Sequence, residues 1–303
     1  MRKTTQALWQ KGPSGVLVPV GAVTEGKERF TRNFLHVKEM AEIVETQFLT
    51  HGVPIPQSST LRAMLDKTKS LAIDWLANQL EGHSERDVFD VLHVMRIAEA
   101  CKALGNIANG TDYLRRLTSG ELAFFNRTRS PAKDAFWELE LCALLQRRSP
   151  QTRLMDPPDI IVDLPAGKIG IACKKVYSEA NLEKVLSQAV KQVESYFDIA
   201  VVAFNIDDLV PADVVLKKDT EQEMAATLRA IADAFIHRHQ RRIKKYLAST
   251  RLVGVITAVH MIVDVQEWSA RLNNARQSTV WCFPGIDARA KFRVAELQSM
   301  LMG

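Results

Sequence analysis

The stretch from Lys133 to Phe204 constrains the fold more than any other part of the chain. An amphipathic helical pattern over Lys133–Arg147 precedes an apolar run at Asp159–Leu164, a Pro165-Ala166-Gly167 turn, and a second run at Lys168–Val176. Two short runs rich in branched apolar residues on either side of a Pro/Gly turn predict a β-hairpin. A further helix, Asn181–Phe197, leads into Ile199-Ala200-Val201-Val202-Ala203-Phe204, a run with no polar residue. A strand without a polar face is buried on both faces, so helices must cover both sides of the sheet it joins. The order helix, strand, strand, helix, strand therefore predicts an α/β layer rather than a bundle or a sandwich.

Downstream, the pattern continues as a long helix from near Asp219 to about Ala248, a strand at Leu252–Val265, a strand at Thr279–Phe283 and a last helix at Ala288–Met302. Upstream the grammar is purely helical. Phe34, Val37, Met40 and Ile43 recur at three- to four-residue spacing, as do Leu71, Trp75, Leu76 and Leu80, and a third helix spans Asp87–Leu104 and ends near Gly105. The prolines of Val53-Pro54-Ile55-Pro56 separate the first two, because proline lacks an amide donor and keeps its predecessor out of helical geometry. A length of 303 residues suggests two domains. The expected organisation is an N-terminal arm over 1–29, irregular or a short hairpin, then an all-helical domain over 30–130. The mixed central sheet flanked by helices follows over 131–303, with Ser130-Pro131 as the boundary.

The four cysteines, Cys101, Cys142, Cys173 and Cys282, form no CxxC pair, which argues against a zinc ribbon or a disulfide framework and suits a reducing cytoplasm. No signal-peptide pattern opens the sequence, and no window reaches the roughly 18 apolar residues of a membrane span. Neither GxxxxGK[ST] nor GxSxG occurs, so a phosphate-loop motor and a serine hydrolase find no support. The net charge of +5 is weak support for a polyanionic partner.

The chemistry-bearing residues lie on the hairpin and its neighbouring helices. Strand side chains alternate, so position 172 and Lys174 share a face and Lys174 points where Asp159 also can. Glu138 and Glu140 offer further acids on the preceding helix. Carboxylates that hold a divalent ion, with a cation to orient the attacking water, are the parts of metal-assisted phosphodiester hydrolysis.

The series of a helical glutamate, Pro158-Asp159, a short hairpin, Ala172-Cys173-Lys174 and a following helix resembles the PD-(D/E)xK nuclease superfamily over roughly Lys133–Phe204. The resemblance implies a restriction-endonuclease-like core and a nuclease acting on nucleic acid, DNA rather than RNA on family grounds. It also implies Mg²⁺ or Mn²⁺ as cofactor, bound by Glu138 and Asp159, with Lys174 assisting the water. Glu138 is preferred to Glu140 because it stands shortly before the paired leucines Leu144-Leu145, as in the family helix. Gln192 and Tyr196 resemble the QxxxY motif of one branch, and residues four apart on a helix share a face. Superfamily members serve restriction, repair and anti-phage defence, which implies a bacterial defence role and either a homodimer or a partner protein.

Ala172 departs from the pattern, which expects Asp or Glu there. Three readings stand side by side: a displaced acid, supplied by Glu138, Glu140 or Asp163; a retired nuclease that binds nucleic acid or a protein without cutting; or an inactivating substitution introduced at this position. Taken singly, each residue also has a plain structural role. Asp159 could cap the turn after Pro157-Pro158, Lys174 and Lys175 could be a solvated strand end, and Gln192, Tyr196, Glu138 and Glu140 could be helix-surface residues. The cluster from His237 to Lys245 is the densest run of positive charge, and Arg238, Arg241, Arg242 and Lys245, together with Lys175, are candidate phosphate contacts. A solvated helix face explains the cluster slightly better, since helical periodicity spreads its charges around the axis. His237 and His239, two apart, face differently and make poor metal ligands.

Overall fold

In a computed structural model of the chain, the structure describes residues 8–11, 17–20, 35–77, 84–102, 104–105, 110–212, 214–268, 272–282 and 285–301. Four helices come first: α1 (Leu35–Thr50), α2 (Thr60–Leu76), α3 (Glu85–Cys101) and α4 (Gly110–Leu117). α3 starts at a capping box, in which the Ser84 hydroxyl accepts from the Asp87 amide and the Asp87 carboxylate accepts from the Ser84 amide at 2.8 Å. Next come α5 (Pro131–Gln146), β3 (Arg153–Leu154), β4 (Ile160–Leu164), β5 (Gly167–Lys175), α6 (Leu182–Val193) and β6 (Ala200–Asn205). The remainder is β7 (Leu216–Lys218), α7 (Glu221–Ser249), β8 (Leu252–Val265), β9 (Leu272–Cys282) and α8 (Ala288–Leu301). A hairpin of β1 (Leu8–Lys11) and β2 (Leu17–Val20) precedes them all.

The strands form one mixed sheet in the order β1-β2-β9-β8-β6-β5-β4-β3, with β7 pairing beside β8. β5, β6 and β8 run parallel to one another, while β4–β5 and β8–β9 are antiparallel. The alternation of side chains divides the core between two faces. Ile171, Cys173, Val201 and Ala203 pack on the α5 side, and Ala172, Val202 and Phe204 pack on the side of α6 and α7. Both faces of the central strands are thus dry, as their unbroken apolar sequence requires. Each large apolar side chain fully buried this way contributes roughly 1.5–3 kcal/mol.

Gly167 makes the hairpin turn possible. Its φ is +116°, and an added Cβ would lie 2.2 Å from the Arg293 guanidinium, which donates to the carbonyls of Ala166 and Lys168 on either side. The α8 helix is thereby fastened to the β4–β5 turn.

Residues of α1, α3 and α4 belong to the same hydrophobic cluster as α5, α8 and the inner strands, and Val37, Leu71 and Val91 form a small further cluster among the first three helices. Ser130-Pro131 starts α5, with the Ser130 hydroxyl accepting from the Ala132 amide. The segment 1–29 is likewise tied to the sheet where it is described, since Leu17 pairs with Cys282. The strand expected at Thr279–Phe283 begins earlier, at Leu272, because its polar first half is specified by pairing with β8 and not by its own hydrophobicity. Among the described residues no helix is long and apolar enough to cross a membrane. All four cysteines are buried free thiols.

Candidate active-site cleft

The β4–β5 hairpin carries Asp159 just before β4 and Lys174 near the end of β5. Asp159 Oδ2 accepts the Cys173 backbone N–H at 2.6 Å and lies 3.5 Å from the Lys174 ammonium; Oδ1 accepts from Gln192 Nε2 on α6 at 3.1 Å. Two segments, β5 and α6, therefore converge on one buried carboxylate, which is 5% exposed. Burial pushes the Asp159 carboxyl above its ordinary range, against the opposing pull of Lys174 and the Cys173 amide.

Glu138, on α5, faces the same cleft. Arg116 of α4 grips it in a two-pronged contact, with guanidinium nitrogens 3.0 and 2.8 Å from the two carboxylate oxygens. Burial first, and then the neighbouring Asp159 carboxylate, raise the Glu138 carboxyl to about 7 despite Arg116. The same contact raises Arg116, against the desolvation that lowers it. An ion pair alone would lower the acid, so burial and the like charge outweigh the pair on the Glu138 side. The two carboxyls titrate together, and the proton near neutrality belongs to the pair.

A cleft of about 670 Å³ opens over these groups, lined by Glu138, Asp159, Lys174, Gln192 and Arg116 at its floor, and by Arg129, Lys184 and Lys191 farther out. It lies beyond the carboxyl end of β5, where open α/β sheets generally place their ligands. The buried Tyr113 side chain of α4 stands close enough to Glu138 and Asp159 for their charges to raise it further, and its hydroxyl has no hydrogen-bond partner among the described residues.

The remaining candidates are placed differently. Ala172 is fully buried among apolar residues of the α6 side, including Leu186 and Val202. Tyr196 does not join Gln192: α6 ends at Val193, and Tyr196 sits in the following turn, 58% exposed and outside the cleft lining. Lys175 does not offer its ammonium to a phosphate, because that group is buried against Asp208 and Asn205 Oδ1. On α7, Arg238 is held by Glu179, Lys245 lies 3.3 Å from Glu183, and Arg242 contacts His239. Neither these residues nor Arg241 lines the cleft.

Of the three proposed substitute acids, Glu138 lines the cleft and Glu140 and Asp163 do not. Glu140 turns to the other side of α5, where Arg96 binds both its oxygens and also reaches Asp207, itself bonded to His260. Burial pushes Asp207 up, but His260 and Arg96 outweigh it and hold it well below the usual carboxylate range. Asp163 pairs with Arg153 and Lys168 at the far end of the hairpin.

Among the described residues no group of three or more His, Cys, Asp and Glu side chains could enclose a metal ion. Two carboxylates on one cleft are nevertheless what a Mg²⁺ site asks of a protein, since that ion keeps several waters and takes substrate phosphate oxygens as further ligands. The donor chemistry of Asp159 and Glu138 fits such an ion where Glu138 turns an oxygen from Arg116 toward the cleft. Compared with protein-family models, curated proteins and solved structures, the chain matches none.

Proposed function

We propose that the chain is a nucleic-acid-cleaving protein of the PD-(D/E)xK type, hydrolysing phosphodiester bonds, with DNA as the favoured substrate. The observation that carries this reading is the convergence of Lys174 and Gln192 on Asp159, with Glu138 on the same cleft. Asp159 and Glu138 are the residues that would hold Mg²⁺ or Mn²⁺, which when bound polarises the phosphate and acidifies a water. The chain's own contribution is positional. Gln192 and the Cys173 amide fix both oxygens of Asp159, and Arg116 fixes the plane of the Glu138 carboxylate. Lys174, only partly buried, holds a positive charge at the floor, where it can orient an attacking water or offset charge gathering on the phosphate. A role in bacterial defence against phage belongs with this reading.

A second reading, a nuclease-fold module that binds nucleic acid or a protein without cutting, is favoured by two observations. Position 172 is apolar, and Arg116 already neutralises Glu138. Cleavage of linear and circular DNA and of RNA, assayed with Mg²⁺ and with Mn²⁺, separates the two. Cleavage by the unmodified protein that is lost in Lys174→Ala supports the enzyme. Cleavage only in Ala172→Glu marks a competent but disarmed scaffold, and none in any version supports the binding module.

A further inference from the structure

The α6 helix presents two chemically distinct faces. Leu182, Leu186, Ala189, Val190 and Val193 are buried against the sheet, whereas Lys184, Gln188 and Lys191 are exposed and line the cleft. Positions 184, 188 and 191 fall on one stripe of a 3.6-residue helix, and its two lysines lie about 10 Å apart along the axis. Neither lysine has an acidic partner among the described residues, and neither does Arg129, also exposed on the cleft lining. The contrast with α7 is direct, because Arg238 and Lys245 there are engaged by Glu179 and Glu183. Two cleft acids oppose this positive rim, the exposed Asp156 and the half-buried Asp134, which accepts from the Tyr177 hydroxyl, while Glu138 and Asp159 on the floor are paired with Arg116 and Lys174.

We propose that a nucleic-acid backbone is bound along the Lys184–Gln188–Lys191 stripe of α6, with Arg129 as a further phosphate contact, and not along the more basic α7. This rests on the nucleic-acid reading above and gives it a path. Phosphate contacts require unneutralised positive charge rather than a particular sequence motif. Cations left without acids beside a pair of buried carboxyls meet that requirement. Gln188, between the lysines, can donate to a phosphate oxygen without adding charge. A strand held on this stripe passes directly above Gln192 and Asp159, one turn of α6 further and at its foot.

The test is fluorescence anisotropy of single-stranded DNA, single-stranded RNA and duplex DNA with the full chain, without divalent ions, over a range of salt. Compared are the unmodified protein, Lys184→Glu/Lys191→Glu, Arg129→Glu, and Arg241→Glu/Arg242→Glu as the α7 control. All five altered side chains are exposed, and circular dichroism checks that the folds agree. The expected result is binding by the unmodified protein that weakens at least tenfold in the α6 double variant. For single strands the slope of log affinity against log salt should fall by about 1.4, two phosphates at about 0.7 each. Arg129→Glu should weaken binding less, and the α7 variant should bind nearly as the unmodified protein does. Affinity lost in the α7 variant and kept in the α6 variant would overturn the path while leaving nucleic-acid binding intact. No binding by the unmodified protein to any of the three ligands would overturn both.

Discussion

Replacing Arg116 by Met should destabilise the protein in a way that depends on pH. The substitution keeps the aliphatic stem but removes the guanidinium that holds both oxygens of Glu138. Stripping one partner from a fully buried ion pair costs about 3–5 kcal/mol, while a fully exposed pair is worth roughly 0.2–1 kcal/mol. Here the Glu138 side chain is 8% exposed and Arg116 36%. Discounting for that solvent access leaves about 2 kcal/mol at pH 8. The Glu138 carboxyl sits at about 7, raised from an ordinary 4.5. The folded state therefore holds a proton that the unfolded state has lost, and stability falls as pH rises through that window. Without Arg116 the carboxyl should move higher still, so the penalty grows with pH and is small at pH 5, where Glu138 is already protonated. In thermal melts the variant should lose about 4 °C at pH 8, at roughly 2 °C per kcal/mol for a chain of this size, and about 1 °C or less at pH 5. Equal losses at both pH values, or none at pH 8, would refute the assignment of Arg116 as the partner of a titrating buried acid.

Glu138→Gln removes the titrating group itself. Relative to the unmodified protein, it should gain up to about 3 kcal/mol of stability between pH 4 and pH 8, read from urea midpoints across that range. At Gly170, an added Cβ would lie 2.7 Å from the Phe197 ring, so Gly170→Ala should cost about 1–3 kcal/mol by overpacking, measurable as a lowered melting temperature. Arg96→Met strands Glu140 and Asp207 in a site where both are buried. It should cost about 3–5 kcal/mol, and an urea midpoint unchanged from the parent would show that the network carries no stability.

The central strands and the pairing of Asp159 with Lys174 could be read from the chain because both follow from local rules. An unbroken apolar run marks a strand buried on both faces, and alternation on adjacent hairpin strands puts the two side chains together. Arg116 was not legible in this way. It meets Glu138 across two helices, and nothing in Leu114-Arg115-Arg116-Leu117 distinguishes it from Arg115, which ends up exposed beside Asp112. The α4 helix itself escaped notice, being short and set apart only by its contacts. Tyr196 misled because a four-residue spacing implies a shared face only while the helix lasts, and α6 stops at Val193. Glu138 and Glu140, two apart on α5, point to opposite environments. Which one meets the cleft is decided by the distant residues Arg96 and Arg116, whose positions only tertiary packing fixes.

The pairing of Leu17 with Cys282 sets an order on synthesis. A ribosome adding about 5–20 residues per second needs tens of seconds to pass from one of these residues to the other. The first hairpin must wait through that interval with its β2 edge open to other chains, while β4, β5 and β6 already have their partners. A chaperone that shields the emerging amino-terminal segment should therefore raise the yield of folded protein more than one acting on the released chain.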